Sequence, residues 1–344
     1  MSTTHKLHFT DARSLDVIED ESIQLIVTSP PYPMIEMWDG IFAEINPAIG
    51  EELSRGNGQS TFRLMHRELE KVWTECERLL SAGGIFCINI GDATRTVDGD
   101  FRLWSNHAEI IRQCESLGLP NLPNILWRKP TNSPTKFMGS GMLPPGAYVT
   151  LEHEYILIFR KGGKRVFRTE EEKQNRRESA FFWEERNRWF SDVWMGLAGI
   201  GQELNDTKLR ERSGAFPFEL AFRLVNMFSV KGDTVLDPFL GTGTTMLASM
   251  VAGRNSIGVE IDPGFRKSIE TQVETVPGLT KQVVSERFEH HAEFVTEREK
   301  PFKYRNDFHD TPVVSRQETE LRLREIRTVT RHSENVYRVE YQNL

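Results

Sequence analysis

The chain is poor in the residues that tie proteins together through sulfur or metal. Only three cysteines occur in 344 residues, Cys76, Cys87 and Cys114, and no two form a C-x-x-C pair. Each falls inside an apolar pattern and reads as a reduced core thiol, which excludes a disulfide framework and a zinc cluster. No metal is expected. Long apolar runs are also missing: nothing approaches the roughly 18 residues a membrane helix needs, and residues 1–9 lack the apolar core of a signal peptide. No membrane partner is expected, and the cytoplasm is the default location. Internal repeats and low-complexity linkers are absent. What remains, 38% hydrophobic and 27% charged residues, is an ordinary folded balance, with room for one large domain or two modest ones.

Positive charge is in deficit, with a formal net charge of −7, which by itself argues against a nucleic-acid partner. Phosphate attraction is local, however, and screened beyond about 8–10 Å. Residues 124–168 carry eight cations (Arg128, Lys129, Lys136, Arg160, Lys161, Lys164, Arg165 and Arg168) against two acids, Glu152 and Glu154. A solvated charged surface explains such a stretch equally well until the motifs around it are considered.

Short apolar runs recur along the chain. Residues 23–28 (IQLIVT), 85–90 (IFCINI) and 155–159 (YILIF) are nearly continuous, as strands buried on both faces are; residues 6–9 and 125–127 read as short strands. Met65, Leu69, Val72, Trp73, Cys76, Leu79 and Leu80 recur at helical spacing before Gly83-Gly84. Phe218, Ala221, Phe222, Val225 and Phe228 mark a second helix, and residues 234–237 and 256–260 are two strands with a helix between them. This alternation predicts an α/β fold with a doubly wound, mostly parallel sheet.

The string Asp237-Pro238-Phe239-Leu240-Gly241-Thr242-Gly243-Thr244-Thr245 reads as strand, glycine turn and helix start. Gly241 and Gly243 permit torsions and close approach that a side chain blocks, and Thr244 and Thr245 can cap the helix. Glu260 ends the next strand about twenty residues on, where nucleotide-binding folds place a ribose acceptor. The loop lacks the lysine of a phosphate-binding loop, and Met246 stands where a dinucleotide site wants its third glycine. S-adenosylmethionine carries no phosphate but a sulfonium and an ammonium, which suit an acid at the strand end, Asp237.

The strand at residues 23–28 ends in Ser29-Pro30-Pro31-Tyr32. Two prolines remove two backbone donors, so nearby carbonyls have no adjacent amide competing with them. An exocyclic amino group needs acceptors for its two hydrogens; the Ser29 hydroxyl and the Pro30 carbonyl are suitable, with Tyr32 to stack on the base. An isolated Pro-Pro-Tyr is more often a turn beside a core tyrosine.

Together, Ser29-Pro30-Pro31-Tyr32 and Asp237-Pro238-Phe239-x-Gly241-x-Gly243-Thr244-Thr245 resemble the DNA amino-methyltransferases in their permuted beta order, with the catalytic motif ahead of the cofactor motif. The resemblance covers roughly residues 6–262. It implies a class I S-adenosylmethionine-dependent methyltransferase fold, Rossmann-like, and assigns Asp11 to the cofactor adenine and Glu260 to its ribose. It also places Phe216 and Pro217, in the SGAFP string at 213–217, at the cofactor, and sets Trp127, Lys129 and the Glu152-His153-Glu154 string around the target base. In this family the Ser form of the tetrapeptide accompanies cytosine N4 methylation and the Asp form adenine N6, so site-specific N4 methylation of cytosine in double-stranded DNA is expected, with adenine N6 as the alternative. A cognate restriction endonuclease is an implied partner. The C5 route, which uses a Pro-Cys dipeptide, is excluded because none occurs. Two rivals remain: an RNA or protein glutamine methyltransferase, which uses Asn-Pro-Pro-Tyr, and a non-catalytic DNA-binding module on the same fold.

The family order makes residues 1–161 and 213–265 the catalytic domain, 162–212 the target-recognition segment and 266–344 a C-terminal extension. Within that segment Lys164 and Arg165 are candidate DNA contacts, since such side chains hold phosphates and read guanine edges. Trp183, Trp189 and Trp194 read as a small core. Residues 33–61, long and with four glycines, are expected as a loop that closes over an extruded base.

Overall fold

A computed structural model describes residues 1–129, 139–197 and 216–344. The catalytic half is built on β1 (Ser2–Phe9), β2 (Ile23–Thr28), α1 (Asp39–Ile45), α2 (Pro47–Ser54), α3 (Gly58–Leu79), β3 (Leu80–Ile90), the hairpin β4 (Ala93–Val97) and β5 (Asp100–Trp104), α4 (Asn106–Ser116), β6 (Asn121–Arg128) and β7 (His153–Arg160). Then come α5 (Glu170–Glu178), α6 (Trp183–Trp189), β8 (Val193–Trp194), α7 (Phe218–Phe228), β9 (Thr234–Asp237), α8 (Thr244–Ala252), β10 (Asn255–Glu260) and α9 (Arg266–Glu297). The chain closes with β11 (Tyr304–Arg305), β12 (Pro312–Val313), β13 (Arg324–Ser333) and β14 (Val336–Asn343).

Among the described residues, ten strands form one sheet in the order β13-β14-β1-β10-β9-β2-β3-β7-β6-β8. Its centre, β1-β10-β9-β2-β3, is parallel, as the alternation of strands and helices predicts. Side chains alternate across it: Leu25, Val27 and Cys87 join α7, α8 and α9 on one face, while Ile26, Phe86 and Ile88 join α3 and α4 on the other. Both faces are therefore dry, which is why these strands read as continuous apolar runs. Trp73 of α3 is fully buried and meets Phe86 and Phe239 edge to face; burying such a side chain contributes about 1.5–3 kcal/mol.

One region differs from the sequence expectation, and two more gain their setting from the structure. Residues 33–61 fold into α1, α2 and the start of α3 in place of a glycine loop: Phe42 and Ile49 are buried, and Asn46 caps α2 with Pro47 at its first turn. The 266–344 extension is part of the main sheet, since β14 pairs with β1. That pairing lengthens β1 to eight residues, hiding Thr3 and His5, which bond Tyr341 and Ser256. Residues 162–197 pack on the C-terminal part of the chain: Phe182 stacks on His291 of α9, and Glu185 accepts two bonds from Arg287. Trp189 and Trp194 are buried in the sheet-face core, whereas Trp183 is partly exposed.

Candidate functional site

Ligands of open α/β sheets bind beyond the carboxyl ends of the strands. A cavity of about 680 Å³ lies along that edge. The ends of β1, β2, β9 and β10 bring Asp11, Ser29, Asp237 and Glu260 to its wall. β7 runs the other way, so its first turn reaches the same edge with Glu154, and β6, antiparallel to β7, delivers Lys129. The helical 33–61 segment supplies an apolar wall through Ile35, Trp38, Ile41 and Phe42.

One half of the cavity is a backbone cradle. Asp237 is buried, and its carboxylate accepts from Thr28 Oγ1 (2.6 Å), Thr245 Oγ1 (2.6 Å) and the Phe239 amide (3.0 Å). Burial pushes its pKa up to about 6, against the pull of those three donors. Glu260 bridges two loops, accepting from the Gly241 amide (2.8 Å) and the Asp262 amide (2.9 Å); burial again raises its pKa. Asp11 is different: burial would raise it, but bonds from the Arg13 side chain and amide outweigh that and hold it low. Gly241 has φ +53°, and a Cβ there would meet no protein atom within 4 Å, because the position faces the cavity.

The other half is a side-chain network. Ser29 Oγ donates to the Tyr32 hydroxyl (3.1 Å), which donates to Glu154 Oε2 (2.9 Å). Asn89 Nδ2 donates to both the Tyr32 oxygen (2.8 Å) and Glu154 Oε2 (2.7 Å), and Lys129 Nζ reaches Glu154 Oε1 (2.8 Å). Burial, and next the Glu154 charge, push the Tyr32 pKa well up, so its hydroxyl stays protonated.

The sequence profile of the DNA methylase family matches residues 23–271. The Type II methyltransferase M.MthZI of Methanothermobacter thermautotrophicus is 52% identical, covering 100% of this chain and 97% of its own. M.MjaI of Methanocaldococcus jannaschii, also a Type II methyltransferase, is 50% identical over 79% of this chain and 92% of its own. Among solved structures, TTHA0409 of Thermus thermophilus, complexed with S-adenosyl-L-methionine, is 34% identical, with a TM-score of 0.61 over 80% of this chain and 97% of that one. The cytosine-N4-specific PvuII DNA methyltransferase, 17% identical with a TM-score of 0.51 over 82% and 94%, shares the fold. The chain belongs to the beta-class DNA amino-methyltransferases.

The methyltransferase uses S-adenosyl-L-methionine, and its cradle suits that cofactor. Seven acids and two cations line the cavity, a balance favourable to a sulfonium and an ammonium. Among the described residues no group of metal ligands occurs, and no helix is long and apolar enough to cross a membrane.

Of the sequence-derived cofactor residues, Asp11, Phe216, Asp237, Pro238, Phe239, Gly241, Thr244 and Glu260 line the cavity. Pro217 starts α7, Gly243 starts α8, and Thr245 braces Asp237 from behind. Ser213, Gly214 and Ala215 of the SGAFP string lie outside the described residues, as does Lys136. Ser29, Pro30, Pro31, Tyr32 and Lys129 also line it.

Trp127 is not part of the wall. It is 2% exposed in the sheet-face core, and Lys129, two residues on and therefore on the same side of the strand, lays its Nζ 5.6 Å from the ring. Lys164 and Arg165 do not line the cavity either. They follow the end of β7 at the opposite edge of the sheet, where Arg165 holds Asp233, just ahead of β9 (2.9 Å), and packs against Gly83. That pairing makes Arg165 a structural tie.

Asn89 is the residue of this network that pattern reading passes over. It lies within the strand string IFCINI, and its signal was a lone amide in a doubly buried strand, which must find partners.

Proposed function

We propose that this methyltransferase transfers the methyl group to N4 of cytosine in duplex DNA, at a specific site, within a Type II restriction-modification pair. The observation that carries the reading is a neutral serine at the head of the tetrapeptide whose one hydroxyl hydrogen is committed to Tyr32. Ser29 Oγ is thereby left with lone pairs only, which makes it an acceptor for an amino hydrogen; the Pro30 carbonyl accepts the other. Holding both hydrogens draws the nitrogen toward tetrahedral geometry and directs its lone pair to the cofactor half. When bound, S-adenosylmethionine supplies a methyl already activated on a sulfonium, so alignment provides most of the acceleration. Tyr32, fixed by Glu154 and Asn89, presents its ring to the base. The serine form of the tetrapeptide goes with cytosine in the family it resembles, which supports N4 over adenine N6.

The amino group is inaccessible inside a duplex, so the reading includes extrusion of the base into the cavity. The names of the two Type II relatives support a companion endonuclease acting on the same site, with both proteins in the cytoplasm. Methylated DNA digested to nucleosides and resolved by mass spectrometry should yield N4-methylcytosine; N6-methyladenine alone would refute the cytosine assignment. DNA so treated should resist the companion endonuclease.

A further inference from the structure

Among the described residues, three of the most exposed large apolar side chains occur within one short stretch: Val149 at 85%, Met142 at 82% and Leu143 at 71%. The stretch is closed on itself by the Gly139–Ala147 bridge and a bond from the Ser140 amide to the Gly146 carbonyl (2.9 Å). Two prolines, Pro144 and Pro145, stiffen its tip. Tyr148 stacks on Phe101 of β5 at 4.8 Å, and the β4–β5 hairpin is in turn tied to α1, part of the cavity wall, through Arg95 and Asp39 (2.7 Å). The stretch therefore stands on a brace.

Its place in the fold is the reaction edge. The Lys129 amide bonds the Glu152 carbonyl (2.8 Å), so the chain re-enters the sheet beside Lys129 and Glu154, both on the cavity wall. Residues 139–150 carry no charge at all in a chain of net −7, so nothing in them repels phosphate. A rigid, uncharged, apolar projection beside a cavity for an extruded base has one fitting occupant, the gap that the base leaves in the stack. Met, Leu and Pro are side chains that proteins wedge between base steps.

We infer that Met142 and Leu143 form a wedge that enters duplex DNA at the target step and holds the stack open while the base occupies the cavity. This rests on the duplex-DNA reading above. The residues touch neither the cradle nor the Ser29–Tyr32 network, so their loss should leave cofactor binding intact.

The test is the double variant Met142→Ser, Leu143→Ser beside the apolar exchange Met142→Leu, Leu143→Met. Methylation is measured on one plasmid in relaxed and in negatively supercoiled form. The serine variant should lose about tenfold or more on relaxed DNA, and less on supercoiled DNA, where opening is already favoured; the apolar exchange should stay near wild type. Cofactor affinity and thermal midpoint should not move in either. An unchanged rate on relaxed DNA overturns the wedge, as does an equal loss on both plasmid forms. So does a wild-type dimer that the serine variant dissociates, since the patch would then be a protein contact. Failure of wild type to methylate duplex DNA is a separate outcome that removes the duplex reading itself.

Discussion

The two halves of the cavity are built by different means. One half, proposed for the cofactor, is a cradle of backbone held by three carboxylates: Asp237 and Glu260 accept from main-chain amides and threonines, and Asp11 is held by Arg13. The other half, proposed for the target base, owes its shape to side chains on or just beyond β2, β3, β6 and β7 that meet at Glu154. The cradle also reaches across strands, through Thr28 on Asp237 (2.6 Å), but its bonds gather on the contiguous turn at 237–245. A network drawn from four strands depends on their register, and a single missing donor strands its partners.

The largest expected effect is in the cradle. Gly241→Val puts a β-branched side chain into the cofactor space at a left-handed φ; calorimetry should show S-adenosylmethionine affinity reduced about a hundredfold or more, from a steric loss of about 3 kcal/mol on the scale of overpacking. A near-normal affinity would mean the cofactor does not approach this turn.

In the target half, Asn89→Ala removes a donor from both Tyr32 and Glu154. Leaving two buried acceptors short costs about 1–3 kcal/mol, and turnover should fall about tenfold with cofactor affinity unchanged. If affinity falls with turnover, the two halves are not separable.

A smaller effect concerns pH. Burial lifts Asp237 to about 6, so in the protein alone the protonated carboxyl is the better buried form. Its contribution to stability is full below the ordinary carboxylate range and is lost as pH rises through about 6. A cationic cofactor favours the ionised form. Its affinity should therefore increase across that window and level off above it, and Asp237→Asn should flatten the curve. A flat curve for the wild type would sever Asp237 from the cofactor charge.

The smallest effect is on DNA binding at the far edge. Lys164→Gln with Arg165→Gln should leave the dependence of log affinity on log salt unchanged, while Arg165→Gln lowers the thermal midpoint by leaving Asp233 buried without its cation. A flattened slope would return these residues to the DNA face.

Local chemistry explains what was readable in advance. The glycine turn, the Ser29–Tyr32 tetrapeptide and the strands at 23–28, 85–90 and 234–237 are contiguous, and their apolar periods and turn residues act within a few residues of themselves. Asn89 sits in a local string but finds its partners 57 and 65 positions away, and Arg13 meets Glu68 across 55 positions (2.6 Å). Residues 33–61 misled because their four glycines outweigh, in a linear reading, the Asn46-Pro47 start of α2.

The sequence by itself determined the parallel sheet, the glycine turn and the Ser29–Tyr32 tetrapeptide at a strand end, because each depends on the torsions and donors of adjacent residues. Tertiary structure decided that Glu154 and Asn89 converge on Tyr32, that Trp127 turns inward, and that Arg165 serves Asp233 at the opposite edge. Those outcomes follow from strand direction and register, which place residues far apart in the chain on the same edge or on opposite ones, and no short window of sequence contains that information.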